Sequence, residues 1–114
     1  VKTVAEIQAT LRAGGGVHRY AADTYYGGGQ WVLLTAWLGW YLALIGRREE
    51  AATLLEWVQA QGTADGWLPE QVPLGLNNAS YYEPWRARWG DIASPLLWSH
   101  AMYIILCRAL QKGS

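Results

Sequence analysis

The amino-acid sequence predicts an all-α fold with about four main helices. Apolar residues recur at spacings of three and four in several segments, which is the period of a helix face. Glycines follow three of these segments, at positions 14–16, 46 and 62, where helices commonly end. No segment shows a convincing strand pattern. These three observations place the chain in the all-α class.

The first two predicted helices differ in how much of their surface is apolar. The first covers residues 3–13, where Val4, Ile7 and Leu11 share one face. The second covers residues 30–45, and Thr35 is its one polar residue after position 30. A helix that is apolar on nearly all sides is expected to be buried. Its apolar run is too short for a membrane span, which needs roughly 18–20 residues.

The third and fourth predicted helices carry signals at their starts. The third covers residues 47–61 and is amphipathic, and Glu49 and Glu50 near its start complement the helix dipole. The fourth opens at Ser94 and Pro95, an N-cap followed by a proline in the first turn, and runs to about residue 111.

Two long loops, residues 17–29 and 63–94, separate these helices. The second loop holds three of the 4 prolines, and a short helical turn is predicted in it at residues 83–89. Loops of this length in a compact domain are usually functional. Both carry aromatic residues and isolated charges, so we expect the functional site there.

Composition argues against several kinds of partner. The chain has 9 basic and 9 acidic residues, so nothing supports binding to nucleic acid or to an anionic membrane. With 1 Cys and 2 His, neither an intrachain disulfide nor a metal site is expected, and no cofactor is predicted. The start of the chain does not resemble a signal peptide, and we predict a cytoplasmic location.

The aromatic content favours a hydroxyl-rich ligand. The chain has 8 Trp and 7 Tyr but no Phe, a bias toward rings with a polar edge. In the first loop, Arg19, Asp23 and Tyr25 combine directed hydrogen-bonding groups with a ring that can lie against a sugar. The residues alone leave open a second interpretation, in which an Arg19–Asp23 ion pair and tyrosine packing simply fasten the loop.

Glu70 is the second candidate site residue, a lone carboxylate in the run Gly66-Trp67-Leu68-Pro69-Glu70-Gln71-Val72. Its position between turn-forming residues and a polar amide indicates a site, although it could also just bind a loop amide. A carboxylate in acid–base catalysis usually needs a partner. The carboxylates of the third helix are interpreted as a solvated face, so the chain offers no obvious partner.

Three segments, in this order, resemble the family 15 glycoside hydrolases, which include glucoamylases, glucodextranases and some microbial trehalases. HRYAADTYYGGGQW (18–31) resembles the signature loop of the family, LPEQV (68–72) its catalytic-base segment and PLLWSHA (95–101) the start of its final helix. The three motifs together span nearly the whole chain, and this makes the resemblance specific.

The resemblance implies a fold, an activity and a set of site residues. The family folds as an (α/α)6 barrel of twelve helices and hydrolyses α-glucosidic bonds with inversion, so the expected ligand is an α-glucoside or a glucose-like sugar. Glu70 would be the general base that activates water. The resemblance implies these other site residues: sugar-contacting Arg19, Tyr25, Trp31, Trp67 and Trp98, and supporting Asp23, Gln71 and His100. His100 is expected to bind the Glu70 loop.

The chain departs from the family pattern in its length. Residues 1–114 are expected to form a single partial barrel domain, the C-terminal third of a family 15 catalytic domain, without the general acid. Barrel faces left exposed would seek partners. We therefore expect self-association, with a trimer favoured over a dimer because three copies supply twelve helices.

Two functions remain open from the sequence. The chain is either part of an inverting α-glucosidase site, supplying the base and the sugar contacts, or a catalytically inactive module that oligomerises and at most binds glucosides. A small membrane-associated helical protein is disfavoured by the short apolar run.

Overall fold

The computed structural model describes residues 2–13 and 15–112, and this part of the chain is mostly helical. It contains five α-helices, four short strands and two turns of 3-10 helix, at Tyr25–Gly27 and Ala79–Tyr81. In chain order the helices and strands are α1 (Lys2–Thr10), β1 (Arg12–Ala13), β2 (Gly16–His18), β3 (Gln30–Trp31), α2 (Val32–Leu44), α3 (Arg48–Ala60), β4 (Gln71–Val72), α4 (Tyr82–Trp89) and α5 (Leu97–Lys112).

The four predicted main helices correspond to α1, α2, α3 and α5, and the predicted turn at 83–89 is α4. The all-α class is confirmed. Helix α1 ends at Thr10, before the three glycines, and Gly14 among them lies outside the described residues.

Helix α5 begins later than the sequence predicts. Its first residue is Leu97, and Ser94 and Pro95 are joined by a cis peptide bond before it. The N–H of Leu96 donates to the carbonyl of Leu68 at 2.9 Å, while the Leu96 carbonyl accepts from the N–H of His100 at 3.3 Å. Leu96 therefore marks the boundary of the helix, and Ser94 is not its cap.

A small antiparallel sheet is the element that the sequence does not reveal. The strands lie in the order β1-β2-β3-β4, with Val17 opposite Trp31 and Trp31 opposite Gln71. Each strand has only two or three residues, too few for an alternating pattern to emerge. The sheet matters because it brings the first loop and the Glu70 loop together.

The core lies where α2 packs between α3 and α5. Leu42, Leu54 and Leu106 are fully buried there. A Cβ on Gly39 would lie 2.9 Å from Cδ2 of Leu106, so the glycine lets α2 and α5 approach closely.

Several large apolar side chains of α2 and α5 remain exposed. Trp37 and Leu44 on α2 are 47% and 65% exposed, and Leu97 at the start of α5 is 83% exposed. Burial of α2 on nearly all sides, as predicted, therefore holds for its face toward α3 and α5 but not for Trp37 and Leu44. No helix among the described residues is long and apolar enough to cross a membrane.

Candidate functional site

Asp23 holds the guanidinium group of Arg19 in a fixed plane. The Nε and Nη2 groups of Arg19 donate to the two carboxylate oxygens of Asp23 at 3.0 and 2.9 Å. The carboxylate is buried and also accepts from the backbone N–H of Tyr25 at 3.1 Å. The hydrogen bond to Asp23 raises the pKa of Arg19, so the guanidinium stays charged. This bidentate pair both braces Arg19 and fastens the loop.

Three aromatic rings surround the same guanidinium. Its central carbon lies 4.9 Å from the ring of Trp31, 5.1 Å from Tyr25 and 5.3 Å from Tyr20. The rings of Tyr25 and Trp31 stack at 6.3 Å. We call Arg19, Tyr20, Asp23, Tyr25 and Trp31 the Arg19 cluster. Since the Arg19 side chain is 38% exposed, the cluster offers a cation and ring faces that a ligand can reach.

Tight local turns fold the loop that carries this cluster. Gly28 has φ 76°, and a Cβ there would lie 2.0 Å from the carbonyl of Asp23, so the turn requires glycine. His18 donates from Nδ1 to the Gly28 carbonyl at 3.0 Å. Tyr26 has φ 50°, the one positive value among the described non-glycine residues, and its hydroxyl donates to the Gly90 carbonyl at 2.8 Å. Backbone strain of this kind concentrates at functional sites.

The backbone of Leu68 and Pro69 is bound to the start of α5. The N–H of Leu68 donates to Nε2 of His100 at 3.0 Å, and its carbonyl accepts from Leu96 at 2.9 Å. The carbonyl of Pro69 accepts from Oγ of Ser99 at 2.9 Å. The expected hydrogen bond between His100 and the Glu70 loop is present, and Ser99 adds a second one.

The backbone of Glu70 is held between α2 and the segment before α5. Its N–H donates to the carbonyl of Ala93 at 2.9 Å, and its carbonyl accepts from the N–H of Val32 at 3.0 Å. With the bonds of Leu68 and Pro69, every backbone polar group from residue 68 to 70 has a partner. A carboxylate on such a segment has a well-defined position.

Gln71 connects Glu70 to the Arg19 cluster. Its Nε2 donates to Oε1 of Glu70 at 3.2 Å, and its backbone pairs with that of Trp31 across the sheet. Paired residues of antiparallel strands project on the same face, so Gln71 and Trp31 are side-chain neighbours. Burial and then the charge of Glu70 raise the pKa of Tyr25, so Tyr25 lies within the field of Glu70.

Trp31 and Gln71, which pair across the sheet, each contain a buried polar atom without a hydrogen-bond partner among the described residues. The indole Nε1 of Trp31 and the Oε1 of Gln71 have no hydrogen-bond partner within the described part of the chain. One is a donor and the other an acceptor. Such atoms are uncommon in folded proteins, and a ligand or water that binds there can supply the missing partner.

The structure brings together most of the predicted site residues but not all of them. Arg19, Asp23, Tyr25 and Trp31 form one cluster, and Gln71 joins it to Glu70. Trp67 and Trp98 are exposed and make no ring contact with the cluster within the residues described, although Trp98 directly precedes Ser99 on α5.

Two residues near the site were not identified from the sequence. Trp85 on α4 contacts Tyr25 edge-on with ring centroids 4.9 Å apart, and it lies 5.9 Å from Tyr26. Ser99 binds Pro69. The aromatic content of residues 82–89 was the available signal for Trp85. For Ser99 the signal was its position between Trp98 and His100. Among the described residues, no group of three or more His, Cys, Asp or Glu could hold a metal ion.

No protein-family model matches the chain. Among curated proteins, it is 53% identical over 108 residues to an isomaltose glucohydrolase from Kribbella flavida, covering 95% of the chain and 28% of that protein. It is 28% identical over 121 residues to an uncharacterized glycosyl hydrolase from Methanocaldococcus jannaschii, covering 92% of the chain and 17% of that protein.

Solved structures give the same result. A wild-type glycosidase superposes with a TM-score of 0.93 at 52% identity, covering 95% of the chain and 29% of the solved one. A glutamate-to-alanine glycosidase variant in complex with glucose has the same TM-score at 51% identity, and a phenylalanine-to-tyrosine variant has it at 53%.

The chain spans less than a third of the length of these relatives. Over that span both the sequence and the backbone agree, and the helices fit part of a larger helical barrel. The predicted resemblance is confirmed at the level of glycoside hydrolases: relatives named as a glucohydrolase and as glycosidases cover 95% of the chain at 52–53% identity, as expected for a fragment of such a catalytic domain.

Proposed function

We propose that this chain supplies the general base and the sugar-contacting residues of an inverting α-glucosidase site, as one part of an (α/α)6 barrel. The observation that carries the proposal is the fully bonded backbone around Glu70, beside a cluster of a guanidinium and stacked rings. Glu70 is the base. Arg19, Tyr25 and Trp31 contact the sugar, together with the exposed side chains of Trp67 and Trp98.

The identities to the solved glycosidases support an alignment of Glu70 with the glutamate that is exchanged in the glucose complex. Identity falls from 52% to 51% in the glutamate-to-alanine variant and rises to 53% in the phenylalanine-to-tyrosine variant. Since the match covers 95% of the chain, single residues account for changes of this size. The two exchanged positions lie 45 residues apart, and Tyr25 and Glu70 are the tyrosine and glutamate with that spacing in this chain.

The chemistry of the site fits this role. In an inverting hydrolase, one carboxylate takes a proton from the attacking water while a carboxylic acid roughly 6.5–9.5 Å away protonates the leaving oxygen. The N–H donor of Gln71 on Glu70 suits a carboxylate that must be ionised to act as a base. The charged Arg19 offers further N–H groups to sugar hydroxyls, and the rings of Tyr25 and Trp31 offer faces for the apolar side of a pyranose.

We propose that the general acid comes from outside this chain. Glu49, Glu50 and Glu56 lie on α3, and Glu83 on α4 faces solvent beside Arg86. Asp23 is committed to Arg19. The remaining carboxylates besides Glu70, Glu6, Asp65 and Asp91, are exposed, and Asp91 is bound to Arg86. We therefore assign the acid to none of them, and the matching relatives are much longer.

A hydrolysis assay tests the proposal. Isomaltose, maltose and trehalose are each incubated with the chain, alone and with a complementing segment that brings the acid, and glucose release is measured. We expect turnover only in the complemented sample, and Glu70→Gln should lower it by about 10²–10⁴-fold. Glu56→Gln, an exposed carboxylate on α3, is the matched control and should leave the rate unchanged. Equal rates for both variants would contradict the assignment of Glu70.

The second candidate function is an inactive module that binds glucosides, favoured by the missing acid. Here glucose would bind without turnover even in the complemented sample. For both functions we propose self-association through the exposed side chains of α2 and α5, as a trimer before a dimer. Light scattering that gave a folded monomer at micromolar concentration would exclude this assembly.

A further inference from the structure

We propose that His100 is a positioning residue that holds the Glu70 segment only while its imidazole is neutral, so that acid releases the segment. The inference concerns the bond between α5 and residue 68. Its importance for catalysis rests on the proposed role of Glu70. The structural part can be tested without any sugar.

The hydrogen bond assigns the protonation state of the ring. The backbone N–H of Leu68 donates to Nε2 of His100 at 3.0 Å. Only an unprotonated ring nitrogen can accept, so the proton of the neutral imidazole is on Nδ1. A protonated imidazole carries N–H groups on both nitrogens. Its Nε2–H would then face the N–H of Leu68, and the attraction would become a repulsion.

The surroundings of His100 do not compensate for a charge. A cleft of about 350 Å³ lies beside the ring, lined by Gln59 of α3, Tyr103 of α5 and the loop residues Gly62, Thr63, Gly66 and Leu68. Tyr103 is the one titratable group besides His100 in this lining, and its hydroxyl accepts from Nε2 of Gln59 at 3.3 Å.

Of the carboxylates on these elements, Glu56 on α3 and Asp65 in the loop are exposed, and Glu70, two residues beyond Leu68, is bound to Gln71. None of the three lines the cleft. Arg108 on α5 is also exposed and outside the lining. A protonated His100 therefore meets no carboxylate in its cleft, while the open cleft gives protons access to the ring.

Loss of this bond acts on Glu70 through a short, stiff connection. Pro69 joins Leu68 to Glu70, and the other bonds from α5 to this stretch come from Leu96 and Ser99. His100 and these two residues are neighbours at the start of one helix, so a repulsion at His100 pushes the segment away from all three. The carboxylate of Glu70 is then held by the backbone bonds to Val32 and Ala93 alone, and its position is less well defined.

Nuclear magnetic resonance tests the structural part. The exchange of the Leu68 amide, corrected for its intrinsic pH dependence, and the ring signal of His100 are followed together from about pH 8 to about pH 5.5, where histidine changes its charge. We expect the protection of the Leu68 amide to fall by at least about fivefold, with the same midpoint as His100. His18, which donates from Nδ1 to Gly28, is the internal control. Protection that stays constant while His100 titrates would overturn the proposal.

Two variants separate positioning from simple packing. The amide oxygen in His100→Gln can accept from Leu68 but does not titrate, so protection should persist at all these pH values. His100→Leu should lose protection at every pH. A pH-dependent loss in His100→Gln equal to that of the unmodified chain would contradict the role of the imidazole.

Glucose binding over the same pH range tests the functional part. We expect the affinity of the unmodified chain to fall by about fivefold toward acid and that of His100→Gln to stay level. If the unmodified chain binds no glucose at any pH, the proposed function fails while the coupling of Leu68 to His100 is judged by its own measurement. If both proteins lose affinity alike, His100 does not control the site.

Discussion

The Glu70 segment and the exposed faces of α2 and α5 differ in how completely their interactions are satisfied within the chain. Every backbone polar group of residues 68–70 has a partner, supplied by α2, α5 and the segment before α5. By contrast, Trp37 and Leu97 expose 47% and 83% of their surface. Contacts within the chain thus fix the backbone that carries Glu70. The apolar side chains on the outer faces of α2 and α5 remain free to contact other protein surfaces.

The largest expected effect contrasts two leucines of α5. Leu106→Ala should lower the free energy of unfolding by about 3 kcal/mol, because the side chain is fully buried against Gly39 and leaves a cavity. Leu97→Ala should change it little, because Leu97 is exposed. Urea unfolding followed by circular dichroism measures both. A loss above about 1 kcal/mol for Leu97→Ala would mean that another surface covers this face in solution.

The next effect contrasts a buried and an exposed carboxylate. Asp23→Asn should cost about 1–2 kcal/mol, because Asp23 is buried and accepts three hydrogen bonds, two of them from Arg19. Asp91→Asn is the matched control, since Asp91 also binds an arginine at 2.9 Å but is 81% exposed. We expect no measurable change for the control in thermal unfolding. Equal losses would show that the Arg19 cluster contributes no more than a surface ion pair.

A smaller effect is expected for the serine that binds the Glu70 segment. Ser99→Ala should cost about 1 kcal/mol, because the carbonyl of Pro69 loses its donor. It should also weaken glucose binding, since the segment is then less well positioned. Ser80→Ala, which removes an exposed hydroxyl bound to Asn78, is the control and should affect neither stability nor binding. Unchanged glucose binding in Ser99→Ala would separate this anchor from the site.

The smallest effect concerns alkaline pH. Burial and the charge of Glu70 raise the pKa of Tyr25, so the folded state favours the neutral phenol. The resulting stabilisation is fully present below pH 10, near the usual tyrosine pKa, and is lost as the pH rises through the raised value of the folded state. In Tyr25→Phe this part of the pH dependence should disappear. The urea midpoints of both proteins at about pH 9 and pH 11 measure this pH dependence. The same change in midpoint between the two pH values in both proteins would argue against a neutral Tyr25 in the fold.

The helices were predictable because each has enough residues to show its period. Segments of nine to sixteen residues such as α1 and α5 carry several turns of apolar spacing, and glycines stand near their ends. The strands have two or three residues each, so pairing between distant residues forms them rather than local pattern. The same reason explains the start of α5, where a tertiary bond from Leu96 to Leu68 outweighs the local preference of Ser94.

The sequence predicted the part of the candidate site that local motifs identify. It did not predict the contacts between residues that lie far apart in the sequence. Arg19 and Asp23 are four residues apart in one loop, so their pairing follows from the local sequence. The contact of Trp85 with Tyr25 joins residues sixty positions apart, and no local pattern announces it. The bond of Ser99 to Pro69 joins residues thirty positions apart and is also not evident from local sequence.

The two bonds of the Glu70 backbone have a consequence for how such sites diversify. Residues 73–92 leave the sheet after β4 and return beside Glu70, where the carbonyl of Ala93 accepts the Glu70 N–H. Both ends of this segment are fixed close to Glu70. Insertions, deletions or exchanges within it can therefore accumulate without displacing Glu70. Because Trp85 and Gly90 in the same segment contact Tyr25 and Tyr26, such changes can alter the surroundings of these two rings while Glu70 keeps its position.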